Sequence, residues 1–273
     1  MSVLLGVAHG SRDPASQQVV RSLLAAAAAA REGLRAESAF VDNASPSIRD
    51  ALQQLVGQGE RDITVVPMLL GAASHSKTDI AGSVQAGRLA HPGVVLRYGR
   101  PLGPHPVVVD VLAQRLAEAG VTDLPIVLVA GGSLDPDANA GVAATARLLY
   151  EGRAFPSVDI AFVSTTGPTV PEALHRLAAQ GVTTVALSRY FLGPGFLPDL
   201  ALTQASTVAG LEVVASESLG AADGLVGLVL ERYDEARAGD IRMNCDACLY
   251  RVPYAHLEHA VGAPQQPHSH PDD

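Results

Sequence analysis

Short apolar runs alternate along this chain with longer segments in which apolar residues recur at helical spacing. In the first part of the chain, the predicted strands are residues 2–8, 36–41, 63–70 and 94–98. The predicted helices are residues 14–32, 45–56, 77–89 and 105–119. Strands that alternate with helices of this length are typical of a parallel sheet covered by helices on both faces, so the pattern predicts an α/β fold.

Prolines support two of the predicted helix starts. Pro14 suits the first turn of a helix, where the missing N–H of proline removes no hydrogen bond. Ser45 followed by Pro46 predicts an N-cap serine and a first-turn proline. If Ser45 is the cap, the nearby carboxylate of Asp42 has a role other than capping this helix.

The sequence contains an internal repeat. Residues 7–14 and 129–136 are identical at six of eight positions, and the same displacement aligns 39–41 with 161–163. The strands predicted for the second copy lie near residues 125–130, 158–163, 183–191 and 211–215. Because the offset holds across separate segments, we predict two tandem homologous domains.

The predicted boundaries follow from the repeat. We place the first domain at residues 1–122 and the second, degenerate copy at residues 123–239. A tail at residues 240–273 contains both cysteines and several histidines and prolines, and we expect it to be partly disordered.

Composition narrows the classes of function. The formal net charge of −9 argues against a protein that binds nucleic acid or a membrane surface through a basic face. Apolar residues make up 48% of the chain, which is enough to bury a core in each copy. The first apolar run is too short for a signal sequence or a membrane span, so we expect a cytoplasmic protein.

Three chemically active side chains fall where predicted strands of the first copy end. His9 ends the first strand, Asp42 ends the second, and His75 lies in the loop after the third. In parallel sheets, ligands bind beyond the carboxyl ends of the strands. The second copy carries Gly131, Ser164 and Gly195 or a close neighbour of Gly195 at the corresponding places.

This pattern of loss indicates function rather than packing, since core packing is needed in both copies. A single histidine at a strand end is more often a hydrogen-bonded structural residue than a ligand. Two histidines that are both missing from the sister copy favour a metal site, and neutral imidazole suits Fe²⁺, Co²⁺, Ni²⁺ and Zn²⁺. Two histidines and one carboxylate leave open coordination positions, as an active metal site requires.

The chain resembles the sirohydrochlorin chelatases of the CbiX/SirB type, within the class II chelatase fold. The segments that carry the resemblance are residues 8–12, 39–42, 46–47, 65–70, 75, 79–80, 101–106 and 245–251. Members of this family usually have Glu where Asp42 stands and a second acidic residue where Ser45 stands. Asp is one methylene shorter than Glu, so its reach toward a metal or substrate differs here.

The resemblance implies that the protein is a lyase that inserts Fe²⁺ or Co²⁺ into sirohydrochlorin, an octacarboxylate tetrapyrrole of siroheme and cobalamin synthesis. His9 and His75 would present the metal and accept the two pyrrole protons, with Asp42 assisting. Carboxylates of the substrate need cationic and hydrogen-bonding partners, and Ser11, Arg12 and Lys77 are the candidates. The other interpretation of Lys77, the only lysine in the chain, is a solvated residue at a helix start.

Cys245 and Cys248 form an M-x-C-x-x-C motif in the tail, and some cobalt-type relatives bind an iron–sulfur cluster at this motif. Two thiolates do not complete a [4Fe–4S] site, so further ligands would come from elsewhere or from a second subunit. A redox-active cysteine pair or two reduced surface thiols are the alternatives. The sequence leaves both a monomer and a homodimer open.

Two other functions remain open from the sequence. The same fold serves as a chelatase for another tetrapyrrole or another metal such as Ni²⁺, since imidazole does not select among these ions. A metal-binding or iron–sulfur carrier protein would use the tail instead of the strand ends.

Overall fold

The computed structural model describes residues 2–263, and these contain two parallel four-stranded sheets. The strands of the first sheet are β1 (Val3–Ala8), β2 (Ala36–Phe40), β3 (Asp62–Pro67) and β4 (Val95–Tyr98), in the order β2-β1-β3-β4. The strands of the second sheet are β5 (Ile126–Ala130), β6 (Val158–Phe162), β7 (Thr184–Arg189) and β8 (Glu212–Ala215), in the order β6-β5-β7-β8. The predicted α/β fold with two parallel sheets is confirmed.

Helices connect the strands in both copies. Those of the first copy are α1 (Pro14–Ala30), α2 (Ile48–Gly57), α3 (Ile80–Ala90) and α4 (Pro106–Glu118). Those of the second copy are α5 (Pro136–Gly152), α6 (Val170–Ala179), α7 (Phe196–Ala205) and α8 (Asp223–Ala238). A π-helical turn, His75–Asp79, precedes α3, so the helix predicted to begin at residue 77 starts two residues earlier with wider winding.

The register of the first sheet brings three strand ends together. β1 is buried along its whole length and pairs with both neighbours, with Ala8 opposite Phe40 and Val7 opposite Pro67. Residues that follow these three strands therefore leave the sheet at the same edge. Apolar side chains of β1 and β3 form one core with α2 and α3, which fixes this edge.

The compact units and the sequence repeats have different boundaries. One unit contains residues 2–103 and 225–263 of the described chain, and the other contains Pro104–Gly224. Helix α4 ends the first repeat but belongs to the second unit, and α8 ends the second repeat but belongs to the first unit. The boundaries predicted at residues 122 and 239 therefore mark repeats in the sequence rather than compact units.

The predicted N-cap of α2 was wrong. Ser47, not Ser45, caps this helix: Ser47 has an extended backbone, and its Oγ accepts a hydrogen bond of 3.2 Å from the N–H of Asp50. The peptide between Ser45 and Pro46 is cis, and the helix begins only at Ile48. The conclusion that Asp42 does not cap α2 still holds, because Ser47 performs that role.

A buried tyrosine anchors α8 within its unit. The Tyr233 side chain is 1% exposed, and its hydroxyl donates a hydrogen bond of 2.6 Å to the carbonyl of Ser2 beside β1. We expect Tyr233→Phe to lower the free energy of unfolding by about 1–2 kcal/mol, because the mutation leaves a buried acceptor without this donor. Urea unfolding measures this loss, and Tyr150→Phe, at an exposed position of α5, is the control, with a change within about 0.5 kcal/mol. Equal values for both variants would contradict the anchoring role.

The described part of the tail, residues 240–263, consists of turns and a short 3₁₀ turn, Glu258–Ala260. The Tyr254 hydroxyl donates to the carbonyl of Ala247 at 2.7 Å, and Leu249 is buried. His268 and His270 lie outside the described residues. Within residues 2–263, no helix is both long enough and apolar enough to cross a membrane.

Candidate metal-binding active site

His9 follows β1 directly, and the next residue, Gly10, packs its backbone closely against the backbone of Asp42. The Gly10 backbone has a φ of +102°, and a Cβ at this position would lie closer to the carbonyl oxygen of Asp42 than the 3.0 Å that real Cβ atoms respect. The N–H of Asp42 also donates to the carbonyl of His9 at 2.9 Å. Only glycine allows this approach, so Gly10 fixes the segment after β1 against the segment after β2.

His75 lies beside His9, as predicted from the two strand ends. The two imidazole rings meet edge to face with centroids 4.4 Å apart. The Nδ1 atom of His75 lies 2.6 Å from Oδ2 of Asp79, and Nδ1 of His9 lies 3.3 Å from the carbonyl oxygen of Gly10. The structure therefore brings together two of the three predicted site residues as a close pair of imidazoles.

Asp42 stands at the end of β2 but does not complete a three-ligand group with the histidines. Within residues 2–263, no three His, Cys, Asp or Glu side chains are close enough together to hold a metal ion. Asp42 accepts hydrogen bonds of 2.6 Å and 2.7 Å from the backbone N–H and the side-chain amide of Asn43. These bonds hold the Asp42 carboxylate in a turn in which Asn43 has a φ of 53°.

The predicted substrate-binding residues have different environments. Arg12 is exposed, and its Nε donates to Oδ1 of Asn43 at 3.2 Å, which places its guanidinium next to the Asp42 turn. The Ser11 hydroxyl accepts a bond of 3.0 Å from the N–H of Asp13 before α1. Lys77 is 6% exposed inside the π-helical turn, so the interpretation of Lys77 as a solvated lysine at a helix start was wrong.

Hydroxyl groups hold the π-helical turn in place. The hydroxyls of Ser76 and Thr78 donate to the carbonyls of Ala73 and Ser74 at 2.9 Å and 2.6 Å, and the Tyr98 hydroxyl on β4 donates to the carbonyl of Ser76. Burial, together with the negative charge of Asp79, raises the pKa of Tyr98 above its ordinary value. Tyr98 therefore stays a neutral hydrogen-bond donor to this turn.

The same edge of the second copy has no imidazole. Gly131 replaces His9, and a Cβ there would lie 3.3 Å from Cδ1 of Leu197. Ser164 replaces Asp42, and its hydroxyl donates to the carbonyl of Gly131 at 3.1 Å. Gly132, which has a φ of +89°, keeps the same close backbone approach, here to the carbonyl of Ser164. The scaffold of the site is therefore kept in both copies, whereas the predicted metal-binding side chains are present only in the first.

Sequence reasoning assigned no role to Asp79 or Tyr98. A signal for Asp79 was available, because it follows His75 by four residues, the spacing that brings side chains together on a helix. Tyr98 is brought to the site by the pairing of β4 with β3, which the spacing along the chain does not reveal.

Comparisons with known proteins agree with this geometry. The CbiX family model matches residues 3–119 and 125–236, which confirms the tandem repeat. The chain is 28% identical to a sirohydrochlorin cobaltochelatase of Priestia megaterium over 95% of this chain and 88% of that protein. It is 30% identical to a sirohydrochlorin ferrochelatase of the same organism over 84% of this chain and 88% of that protein.

Solved structures show the same relationship. SirB from Bacillus subtilis with Fe³⁺ superposes with a TM-score of 0.77 at 29% identity, covering 88% of this chain and 97% of that one. A cobalt complex of SirB from Bacillus subtilis subspecies spizizenii gives a TM-score of 0.71 at 26% identity, with the same coverage. Since the family model matches most of the sequence in two successive segments, this chain belongs to the CbiX family.

Proposed function

We propose that this protein is a chelatase that inserts Fe²⁺ or Co²⁺ into sirohydrochlorin. The observation that carries the proposal is the close pair of His9 and His75 at the carboxyl edge of the first sheet. Relatives that match most of the chain are named for the iron and the cobalt reaction of the same tetrapyrrole. Both ions suit imidazole ligands, so the site chemistry fits either metal.

The ligand pair suits an ion that is handed over rather than kept. In this proposal, His9 and His75 bind the incoming metal, and the rest of its coordination sphere stays open to water and to the macrocycle nitrogens. Insertion releases two pyrrole protons, and a neutral imidazole accepts protons near neutral pH. The same two side chains would therefore bind the metal before insertion and accept the pyrrole protons during insertion.

Polar groups around the pair would orient the substrate. Asp42 would assist His9, because the N–H of Asp42 donates a hydrogen bond to the carbonyl of His9. Arg12, which lies beside the same turn, would bind a substrate carboxylate. Ser11 would add a hydroxyl on the same loop. Lys77 would have to turn outward from its buried position to reach a carboxylate.

The rate of metallation tests this function and identifies the metal. Sirohydrochlorin is mixed anaerobically with Fe²⁺ or Co²⁺, with and without the full-length protein, and the absorbance change on metallation is followed. Acceleration above the spontaneous rate supports the proposal, and the faster metal names the physiological reaction. Acceleration only with Ni²⁺, or only with a different tetrapyrrole, would support the related chelatase activity instead.

Within residues 2–263, the cysteine pair has no further ligands that would complete a cluster site. Cys245 is exposed and Cys248 is buried, and neither belongs to a group of three candidate ligands within residues 2–263. A [4Fe–4S] cluster needs four ligands, so a cluster at this motif would require ligands from outside the described residues or from a second copy.

We expect the double variant Cys245→Ser with Cys248→Ser to keep the metallation rate of the wild type within about twofold. The reason is that these thiols form no ligand group with His9 and His75 in the described chain. Initial rates under anaerobic conditions measure the effect, and iron and sulfide analysis of both proteins reports any bound cluster. A rate that drops with the cluster content would favour the carrier function over the chelatase.

A further inference from the structure

Asp79 lies behind His75, on the side of the ring away from solvent. Its Oδ2 is 2.6 Å from Nδ1 of His75, and its side chain is 3% exposed, compared with 24% for the histidine. We propose that Asp79 is a positioning residue that fixes the His75 ring and its tautomer, so that Nε2 is the nitrogen presented to the metal. This inference rests on the proposed function, since it assigns a task to a residue of the same site.

The chemistry of the pair sets the direction of the hydrogen bond. An ionised carboxylate only accepts, so Nδ1 of His75 must carry the proton, and in neutral imidazole the lone pair then lies on Nε2. His9 follows the same rule with a weaker partner, because its Nδ1 faces the carbonyl of Gly10 at 3.3 Å. Histidines that bind metals commonly donate their other ring N–H to a carboxylate or a carbonyl in this way.

The π-helical turn places the carboxylate against the ring. The N–H of Ile80 donates to the carbonyl of His75, five residues earlier, which closes the wide turn His75–Asp79. Thr78 adds a hydroxyl that lies 3.4 Å from Oδ1 of Asp79. Single π-helical turns are frequent at functional sites. The turn therefore buries the aspartate under the imidazole while the imidazole stays at the edge of the sheet.

The second copy provides an internal comparison. Asp199 follows Gly195 by four residues, as Asp79 follows His75, and each aspartate is followed by an apolar residue. Asp199 is exposed and lies in the first turn of α7, an ordinary α-helix. An aspartate four residues after Gly195 is therefore exposed in an ordinary α-helix, whereas Asp79 is buried in a π-helical turn behind a histidine.

The tautomer of His75 in the metal-free protein tests the inference directly and requires no chelatase activity. Two-dimensional ¹H–¹⁵N spectra of ¹⁵N-histidine-labelled protein at about pH 8, where imidazole is neutral, distinguish Nδ1–H from Nε2–H rings. The His75 signal is assigned by its loss in His75→Ala. We expect the Nδ1–H form in the wild type and a mixture or the Nε2–H form in Asp79→Asn. An Nε2–H ring in the wild type would overturn the inference.

Metal affinity supplies the second readout. We expect Asp79→Asn to weaken Co²⁺ binding, followed by calorimetry, by about 10–100-fold, as is usual when the partner of a ligating histidine is removed. Asp199→Asn is the matched control and should bind Co²⁺ like the wild type. Unchanged affinity in a folded Asp79→Asn protein would reject the proposal. If that variant does not fold, Asp79→Glu takes its place. Because glutamate keeps the carboxylate, we expect this variant to keep the Nδ1–H form of His75 and to bind Co²⁺.

Discussion

Replacing either His9 or His75 by alanine is expected to remove nearly all protein-dependent metallation of sirohydrochlorin. Each variant loses one of the two imidazoles that meet at 4.4 Å, and with it a proposed metal ligand and proton acceptor. A positioned general base alone contributes about 10²–10⁴-fold, so we expect a loss of at least that size. Anaerobic initial rates, corrected for the spontaneous reaction, measure the loss.

His175→Ala is the matched control for these variants. His175 lies on α6 in the second unit, and its side chain is exposed. This variant should metallate sirohydrochlorin at the rate of the wild type. If His9→Ala and His75→Ala were also active at that rate, the catalytic site would have to be sought away from the carboxyl edge of the first sheet.

Gly10→Ala is expected to be the most damaging single-methyl substitution at the site. Alanine at a φ of +102° is strained, and its Cβ would collide with the carbonyl of Asp42, which belongs to the backbone and is not free to rotate away. We expect the free energy of unfolding to fall by about 2–4 kcal/mol, with a further loss of activity because His9 and Asp42 are displaced. Urea unfolding and the metallation rate measure the two effects separately.

Substitutions at two other glycines are the controls. Gly59→Ala shows the cost of backbone strain without a steric collision, and Gly132→Ala shows the loss of stability without damage to the first site. Gly59 has a similar φ of +94° with open space around it, so Gly59→Ala should cost only about 1 kcal/mol. In the second copy, a Cβ on Gly132 would collide with the carbonyl of Ser164, as a Cβ on Gly10 would collide with the carbonyl of Asp42. Gly132→Ala should therefore lose stability like Gly10→Ala, while its folded fraction still metallates the substrate. Equal stability of the Gly10→Ala and Gly59→Ala variants would contradict a steric collision between residue 10 and the carbonyl of Asp42.

The fold could be predicted from the sequence because its signals are local or repeated. Apolar runs identified the strands, and the repeat showed that the architecture occurs twice. The assignment of α4 and α8 to compact units could not be predicted, because helix packing depends on contacts between distant segments such as Tyr233 and Ser2. The cap of α2 was misplaced because serines stand on both sides of Pro46, and only the backbone conformation distinguishes them.

The close pair of His9 and His75 could be predicted from the loss of both histidines in the second copy. The burial of Lys77 could not, since a lysine at a helix start is usually solvated, and the π-helical turn that encloses it leaves no mark in the apolar pattern. The same turn determines where Asp79 lies. Local winding that departs from the α-helix changes which side chains are buried without changing their spacing along the sequence.

A multiple-turnover assay tests the central claim most directly. Full-length protein at about one tenth of the sirohydrochlorin concentration is supplied anaerobically with excess Fe²⁺ or Co²⁺, and the metallated product is counted per protein molecule. The chelatase account predicts that all of the substrate is metallated, at a rate proportional to the protein concentration. A rapid phase that stops at one product per protein, followed by the spontaneous rate, would show that the protein delivers metal without catalysing its insertion, and would contradict the account.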